Sequence, residues 1–181
     1  MIVVIFCIIL IVANAITLYC IETFQGYCAH DDYKQQMLDR HNLYRKIHAV
    51  GDLVWDANLA STAKQWAMEM CRTHSFEHST FDYGENIGQN KYAAAQVDQW
   101  YNEVRGYNFD IDNPDIHGFG HFTQLVWKGT KRLGCAVITT NCQLANSIGS
   151  QIHETAAHVC EYDPPGNSEF AAGQNVFKGT L

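Results

Sequence analysis

Apolar residues recur along this chain with two periods, and the alternation between them outlines its elements. Across residues 32–48, Tyr33, Met37, Tyr44 and Ile47 fall at helical spacing among polar neighbours, with His41 on the same stripe. An amphipathic helix is predicted there, broken by Gly51-Asp52. Trp55-Asp56 opens a second helix, with Asp56 as N-cap and Leu59, Ala63, Trp66, Ala67 and Met70 on the buried face. Ala93, Val97, Trp100, Tyr101 and Val104 mark a third, which Gly106 ends. Phe122, Leu125 and Val126 are spaced for a short helix that His121 begins. Residues 133–140 and 152–162 instead alternate as strands do, the latter with Ala156, His158, Cys160 and Tyr162 on one face, and polar residues 141–151 join them as a hairpin. Residues 72–90 show neither period. They read as an irregular segment carrying His78 and a turn at Gly84-Glu85-Asn86-Ile87, and 107–118 read as an exposed loop rich in Asp. Helices separated from a late pair of strands predict an α+β domain.

Composition narrows the class. The 181 residues are one domain's worth, and 47% apolar with 17% charged residues is ordinary for a chain that buries a core. A net charge of −7 disfavours nucleic acid as the main partner, because phosphate binding depends on clustered Lys and Arg.

The first residues change the picture more. Ile2 to Val12 form an unbroken apolar run followed by Ala13-Asn14-Ala15, the small-residue pattern of a signal-peptidase site. Residues 1–15 are therefore expected to be a signal peptide, the run being shorter than the about 20 residues that span a bilayer. An uncleaved anchor is the alternative. Beyond it we expect an N-terminal extension, residues 16–31, and a domain over 32–181. Removing Cys7 with the signal leaves six cysteines, Cys20, Cys28, Cys71, Cys135, Cys142 and Cys160, an even number that in an exported chain points to disulfides. About 15 pairings of six are open.

Four stretches occur in order: Arg40-His41-Asn42 with Arg45; Gly84-Glu85-Asn86-Ile87; Gly120-His121-Phe122-Thr123-Gln124-Leu125-Val126-Trp127-Lys128-Gly129-Thr130; and Cys160-Glu161-Tyr162-Asp163-Pro164-Pro165-Gly166-Asn167. In them the chain resembles the CAP superfamily: cysteine-rich secretory proteins, antigen 5, pathogenesis-related class 1 proteins and the venom allergen-like proteins. The resemblance implies a three-layer α-β-α sandwich around a mostly antiparallel sheet. It implies disulfides Cys71 with Cys142 and Cys135 with Cys160, leaving Cys20 and Cys28 to close a small loop. It also implies a cleft tetrad of His78, Glu85, Glu103 and His121, a structural role for His41-Asn42, and Tyr107 and Phe109 in a loop that binds lipid in some relatives. Glu161 departs from the family, whose members more often carry a neutral polar residue there, and six residues separate Cys71 from His78, more than in plant members.

Two imidazoles and two carboxylates from separate segments are a sensible donor set for zinc or another divalent cation. The third helix cannot by periodicity choose Glu103 over Asp98 on its opposite flank. Other chemistry is weaker. His153 and His158, in His-Glu-Thr-Ala-Ala-His, are five apart and diverge on a helix or a strand, unlike a zincin pair four apart. Ser79 follows His78 without the Gly-x-Ser-x-Gly turn that exposes a nucleophile. The expectation is a secreted, extracellular protein that binds a cation, a sterol or fatty acid, or an extracellular protein. The alternatives are a metal-assisted hydrolase using the same tetrad, and a receptor ligand or allergen-like protein acting independently of the cleft.

Overall fold

The computed structural model describes residues 29–111, 115–139, 142–146, 149–154, 156–168 and 171–180. The expected signal peptide and the Cys20–Cys28 loop lie outside them. Helix α1 (Ala29–Ile47) buries Met37, His41 and Arg45, with His48 buried just beyond its end, so the residues that fix it to the core are largely polar. Strand β1 (Val54–Trp55) precedes α2 (Ala57–Thr73). Asp56 caps α2 as expected, its carboxylate accepting from Asn58 N and Leu59 N, and His74 ends it in the left-handed region at φ 57°. Then follow β2 (Gly84–Gly88), α3 (Ala93–Tyr101) and a 3-10 turn (Asn102–Gly106). Helix α4 (Gly120–Leu125), strands β3 (Arg132–Ile138), β4 (Gln143–Asn146), β5 (Gly149–Glu154) and β6 (Ala157–Asp163), and the short α5 (Ala172–Asn175) complete the order.

The central sheet runs β1-β3-β6-β2. It is mixed rather than mostly antiparallel: β3/β6 and β2/β6 are antiparallel, but β1 lies parallel to β3 because it enters the sheet before α2 crosses over. The sandwich is otherwise as expected. Helix α2 covers one face, with Ala63, Ala67, Met70 and Cys71 against Ile87, Ala136, Ala157 and Val159. Helices α1, α3 and α4 cover the other, with Met37, Val97, Trp100, Phe122 and Leu125 against Leu133, Cys135, Cys160 and Tyr162. Contact with α2 is close enough that a Cβ on Gly134 would lie 2.1 Å from Ala60 N, so only glycine fits.

Both described disulfides have the expected partners. Cys135–Cys160 joins residues directly opposite each other on β3 and β6, and Cys71–Cys142 ties the end of α2 to the β3–β4 connection. Closing loops with separations of 25 and 71 residues, each contributes about 3–4 kcal/mol in the chain-entropy picture.

Three expectations change on contact with the structure. The Gly84 segment is an edge strand, not a turn. The presumed hairpin connection holds a hairpin of its own, β4–β5. The third helix tightens to a 3-10 turn after Tyr101, which moves Glu103 off the α-helical stripe.

Candidate functional site

His78, Glu85, Glu103 and His121 form two pairs. In the first, His78 Nδ1 lies 2.6 Å from Glu85 Oε1, and Ser79 N donates to the same oxygen at 3.1 Å. Glu85, at the start of β2, thereby fixes a loop that has no secondary structure of its own. Burial sets the partners apart: the His78 side chain is 61% exposed and that of Glu85 only 6%. The hydrogen bond to the carboxylate raises the His78 pKa above its ordinary value, against a smaller effect of burial.

In the second pair, Glu103 Oε1 meets His121 Nδ1 at 2.6 Å and Oε2 accepts from Phe122 N at 3.0 Å. Phe119 offers α4 no side-chain cap, so Glu103 supplies one from the 3-10 turn, satisfying a free N–H of the first turn. The His121 ring lies over Trp100, centroids 6.1 Å apart and planes 14° from parallel. Asp98, which periodicity could not separate from Glu103, is engaged elsewhere, by Arg40 and by the Tyr44 hydroxyl at 2.7 Å.

Alternation puts Glu85 and Ile87 on the α2 face and Asn86 on the other, where its Nδ2 donates to His121 O at 3.1 Å. Among the described residues no three His, Cys, Asp or Glu side chains come together as a cation site. A cleft of about 250 Å³ is lined by the first pair with Ser79, Phe81, Tyr83, Gln124 and Asn167, and Glu103 and His121 are not part of its wall. A groove of about 310 Å³ along α1, walled by Gln36, Asp39 and Leu43, lies away from all four residues.

A buried network supports the second pair from below. His41 Nδ1 donates to Met37 O at 2.7 Å, which leaves Nε2 to accept from the Tyr162 hydroxyl at 2.7 Å; that oxygen accepts from Asn86 Nδ2 at 3.0 Å. The structural role implied for the His41-Asn42 pair is visible here and in Asn42, which exchanges two hydrogen bonds with the Leu53 backbone. Arg45, with no exposure, gives its guanidinium to the carbonyls of Gly51, Leu125, Trp127 and Thr130. Burial lowers its pKa to about 10, against smaller opposing effects of Tyr162 and Asp52.

One site residue was not foreseen. Glu161 is fully buried on β6 directly opposite Glu85 on β2. Neither of its oxygens has a hydrogen-bond partner of good geometry, so Glu85 acts on it through charge. Burial first, and Glu85 second, push its pKa up to about 8, which makes it a neutral acid at pH 7. The departure at 161 was visible in the sequence, but its register opposite Glu85 was not.

The remaining candidates fall elsewhere. Tyr107 is buried and Phe109 half-buried, both packed on Phe122, so they belong to the core rather than to an open loop. His158 is buried in β6, bonded to Asn90 O at 2.8 Å and to the Tyr33 hydroxyl at 3.3 Å, while His153 lies on β5.

Comparison with known proteins places this arrangement. The model of the cysteine-rich secretory protein family, CAP, matches residues 38–162. Secreted protein RBT4 of Candida albicans is 37% identical over 139 residues, covering 75% of this chain and 36% of that protein. Pathogenesis-related protein 1 of Arabidopsis thaliana is 36% identical over 140 residues, covering 75% and 79%. The crystal structure of NaASP2 with Zn2+ superposes with a TM-score of 0.58 at 23% identity, covering 83% and 87%. The chain spans 36% to 48% of the length of three fungal relatives it matches.

Proposed function

Because this chain belongs to the cysteine-rich secretory protein (CAP) family, we propose that it is a secreted protein that works by binding, and that its two imidazoles take up a divalent cation such as zinc. The observation that carries this reading is the common geometry of the pairs. Each imidazole has Nδ1 against a glutamate oxygen at 2.6 Å, an arrangement that fixes the ring and leaves Nε2 for a ligand. Histidines that hold metals are ordinarily backed by a carboxylate in this way. The donor set fits a cation held by imidazole nitrogen with Glu85 and Glu103 behind, water completing the coordination; it does not fit four direct protein ligands, since no three converge among the described residues. Bound there, the cation would supply a positive charge able to recruit an anionic or carbonyl group of an extracellular partner. Support for secretion comes from the relatives named as secreted and from the apolar N-terminal run.

Binding is favoured over serine hydrolysis because, among the described residues, the pairs have no activated side-chain nucleophile beside them. The Ser79 hydroxyl oxygen accepts from Phe81 N, and the described contacts of His78 Nδ1 are with Glu85. A sterol or fatty acid would need a surface other than Tyr107 and Phe109, which pack on the core. The test is zinc titration by calorimetry on the purified secreted chain. His78→Ala and His121→Ala are each expected to weaken uptake about tenfold or more, with peptide and ester substrates not turned over. Zinc affinity unchanged in both variants, or hydrolysis lost in Glu85→Ala, overturns the proposal.

A further inference from the structure

The cleft beside His78 has a second character that cation chemistry does not use. Phe81 and Tyr83 stand at its mouth with 40% and 39% of their surface exposed, and Phe81 meets Trp66 edge-on with centroids 6.4 Å apart. Large half-exposed aromatic rings around a concave surface are what a ligand's apolar face packs on. The floor is polar. Gln124 and Asn167 are held by hydrogen bonds to Gly166 N, Thr130 Oγ1, Gly120 O and Thr123 Oγ1, which makes the floor rigid and leaves little unmet demand there. The groups with capacity to spare are at the rim: the Ser79 hydroxyl proton, the Tyr83 hydroxyl and His78 Nε2.

Charge and size narrow the ligand further. The one carboxylate in the wall, Glu85, is already matched by His78 and Ser79 N, and the lining contains no Lys or Arg, so nothing calls for an anionic organic ligand. At about 250 Å³ the cleft is smaller than the roughly 300–1,000 Å³ that engulfs a drug-sized molecule, and its amide floor is wrong for a sterol or an acyl chain. A polyproline peptide would use the aromatic rings but has only carbonyl acceptors to offer the three rim groups.

We propose that this cleft binds one pyranose ring of a neutral oligosaccharide, with Phe81 and Tyr83 against the ring's C–H face and Ser79, Tyr83 and His78 on its hydroxyl edge. A ring with all-equatorial substituents presents flat C–H faces and a continuous belt of hydroxyls, so β-linked glucose and N-acetylglucosamine units are the fitting class. The binding needs no cation, but it uses the same His78 Nε2 that the reading above gives to the metal, so the two are tested apart, with metal removed.

The experiment is NMR titration of the full secreted chain with cellotetraose and with chitotetraose, in EDTA to remove metal, with mannotetraose and a proline-rich decapeptide as comparators. The expected result is a saturable shift of the Phe81 and Tyr83 resonances with one or both β-linked tetramers, weaker with mannotetraose, whose axial hydroxyl breaks the flat face. Tyr83→Ala and Phe81→Ala should each weaken binding about tenfold, as loss of a central aromatic contact does, while Tyr83→Phe, which keeps the ring, loses less. Thermal melts of the variants separate lost binding from lost fold. Resonances unmoved by either tetramer at millimolar concentration, tighter binding of the decapeptide, or tetramer affinity unchanged in both alanine variants overturns the proposal.

Discussion

Five of the described histidines fall into two kinds, and their surroundings set them to opposite tasks. His41, His48 and His158 are buried, and each has one ring nitrogen on a backbone carbonyl and the other on a tyrosine hydroxyl: Met37 and Tyr162, Phe177 and Tyr101, Asn90 and Tyr33. The carbonyl takes the single N–H and the hydroxyl donates to the bare nitrogen, an arrangement only the neutral ring satisfies. Burial lowers the pKa of His41 and His158 to about 4 and that of His48 below its ordinary value. His78 and His121 instead face glutamates, and His78 is shifted upward by Glu85. Tyrosine partners make histidine a fixed piece of the core, whereas glutamate partners keep it available at the surface.

The contrast can be broken most severely at the buried end. Arg45→Ala should cost about 3–5 kcal/mol, because it strands four carbonyls that the guanidinium now satisfies. A urea melt checks this, and a loss within the error of a surface substitution would remove Arg45 from the buried network.

Acid comes next. A histidine whose folded pKa lies below its unfolded value contributes stability that is complete above about pH 6.5 and lost as pH falls toward the folded value, here about 4 for His41 and His158. Each should contribute roughly 3 kcal/mol of that loss. Denaturant midpoints between pH 7 and 4 should fall steadily, and His41→Gln should flatten the fall by one histidine's share.

Glu161 has the opposite sign. Its folded pKa of about 8 lies above its unfolded value, so its contribution is unimpaired only below about pH 4.5 and is lost as pH rises toward 8. Glu161→Gln, which keeps the shape and cannot ionise, should therefore stabilise the protein at pH 8 and change it little at pH 4. Equal melting temperatures for variant and parent at pH 8 would contradict a buried neutral acid.

The smallest effect belongs to the open pair. His78→Ala should cost about 1 kcal/mol or less at pH 7, since the imidazole is mostly exposed and Glu85 keeps the Ser79 N–H, while weakening zinc uptake. A large destabilisation would place His78 with the core histidines.

Much of this was legible in the chain. Helical spacing found α1, α2 and α3, Asp56 announced the start of α2, and four short stretches carried the fold, with Glu85 and His121 inside them. The failures have physical causes. Strand β2 has Gly at both ends and Glu85 and Asn86 between, so it lacks the alternation of an ordinary half-buried strand; it is held by β6 and by Trp100 Nε1 on Ile87 O, neither visible locally. Strand β1 is two residues long, too short for any period. Glu103 was indistinguishable from Asp98 until Arg40 and Tyr44, from another helix, claimed Asp98. Tyr107 and Phe109 looked like loop residues because their neighbours are acidic, yet both pack on Phe122 of α4.

The amide of Gln124 has a mechanical consequence. Its oxygen accepts from Gly166 N and sits where a Cβ on Gly84 would come within 1.9 Å, while its nitrogen reaches Thr130 Oγ1. One side chain thus clamps the helix that bears His121, the start of β2 and the 164–167 segment into a single jaw. The opposing jaw is the 74–83 segment with His78, Phe81 and Tyr83, tied down by Glu85 and by Trp66 Nε1 on Glu77 O. Trp66, from α2, thus fastens the His78 side of the cleft as Gln124 fastens the other.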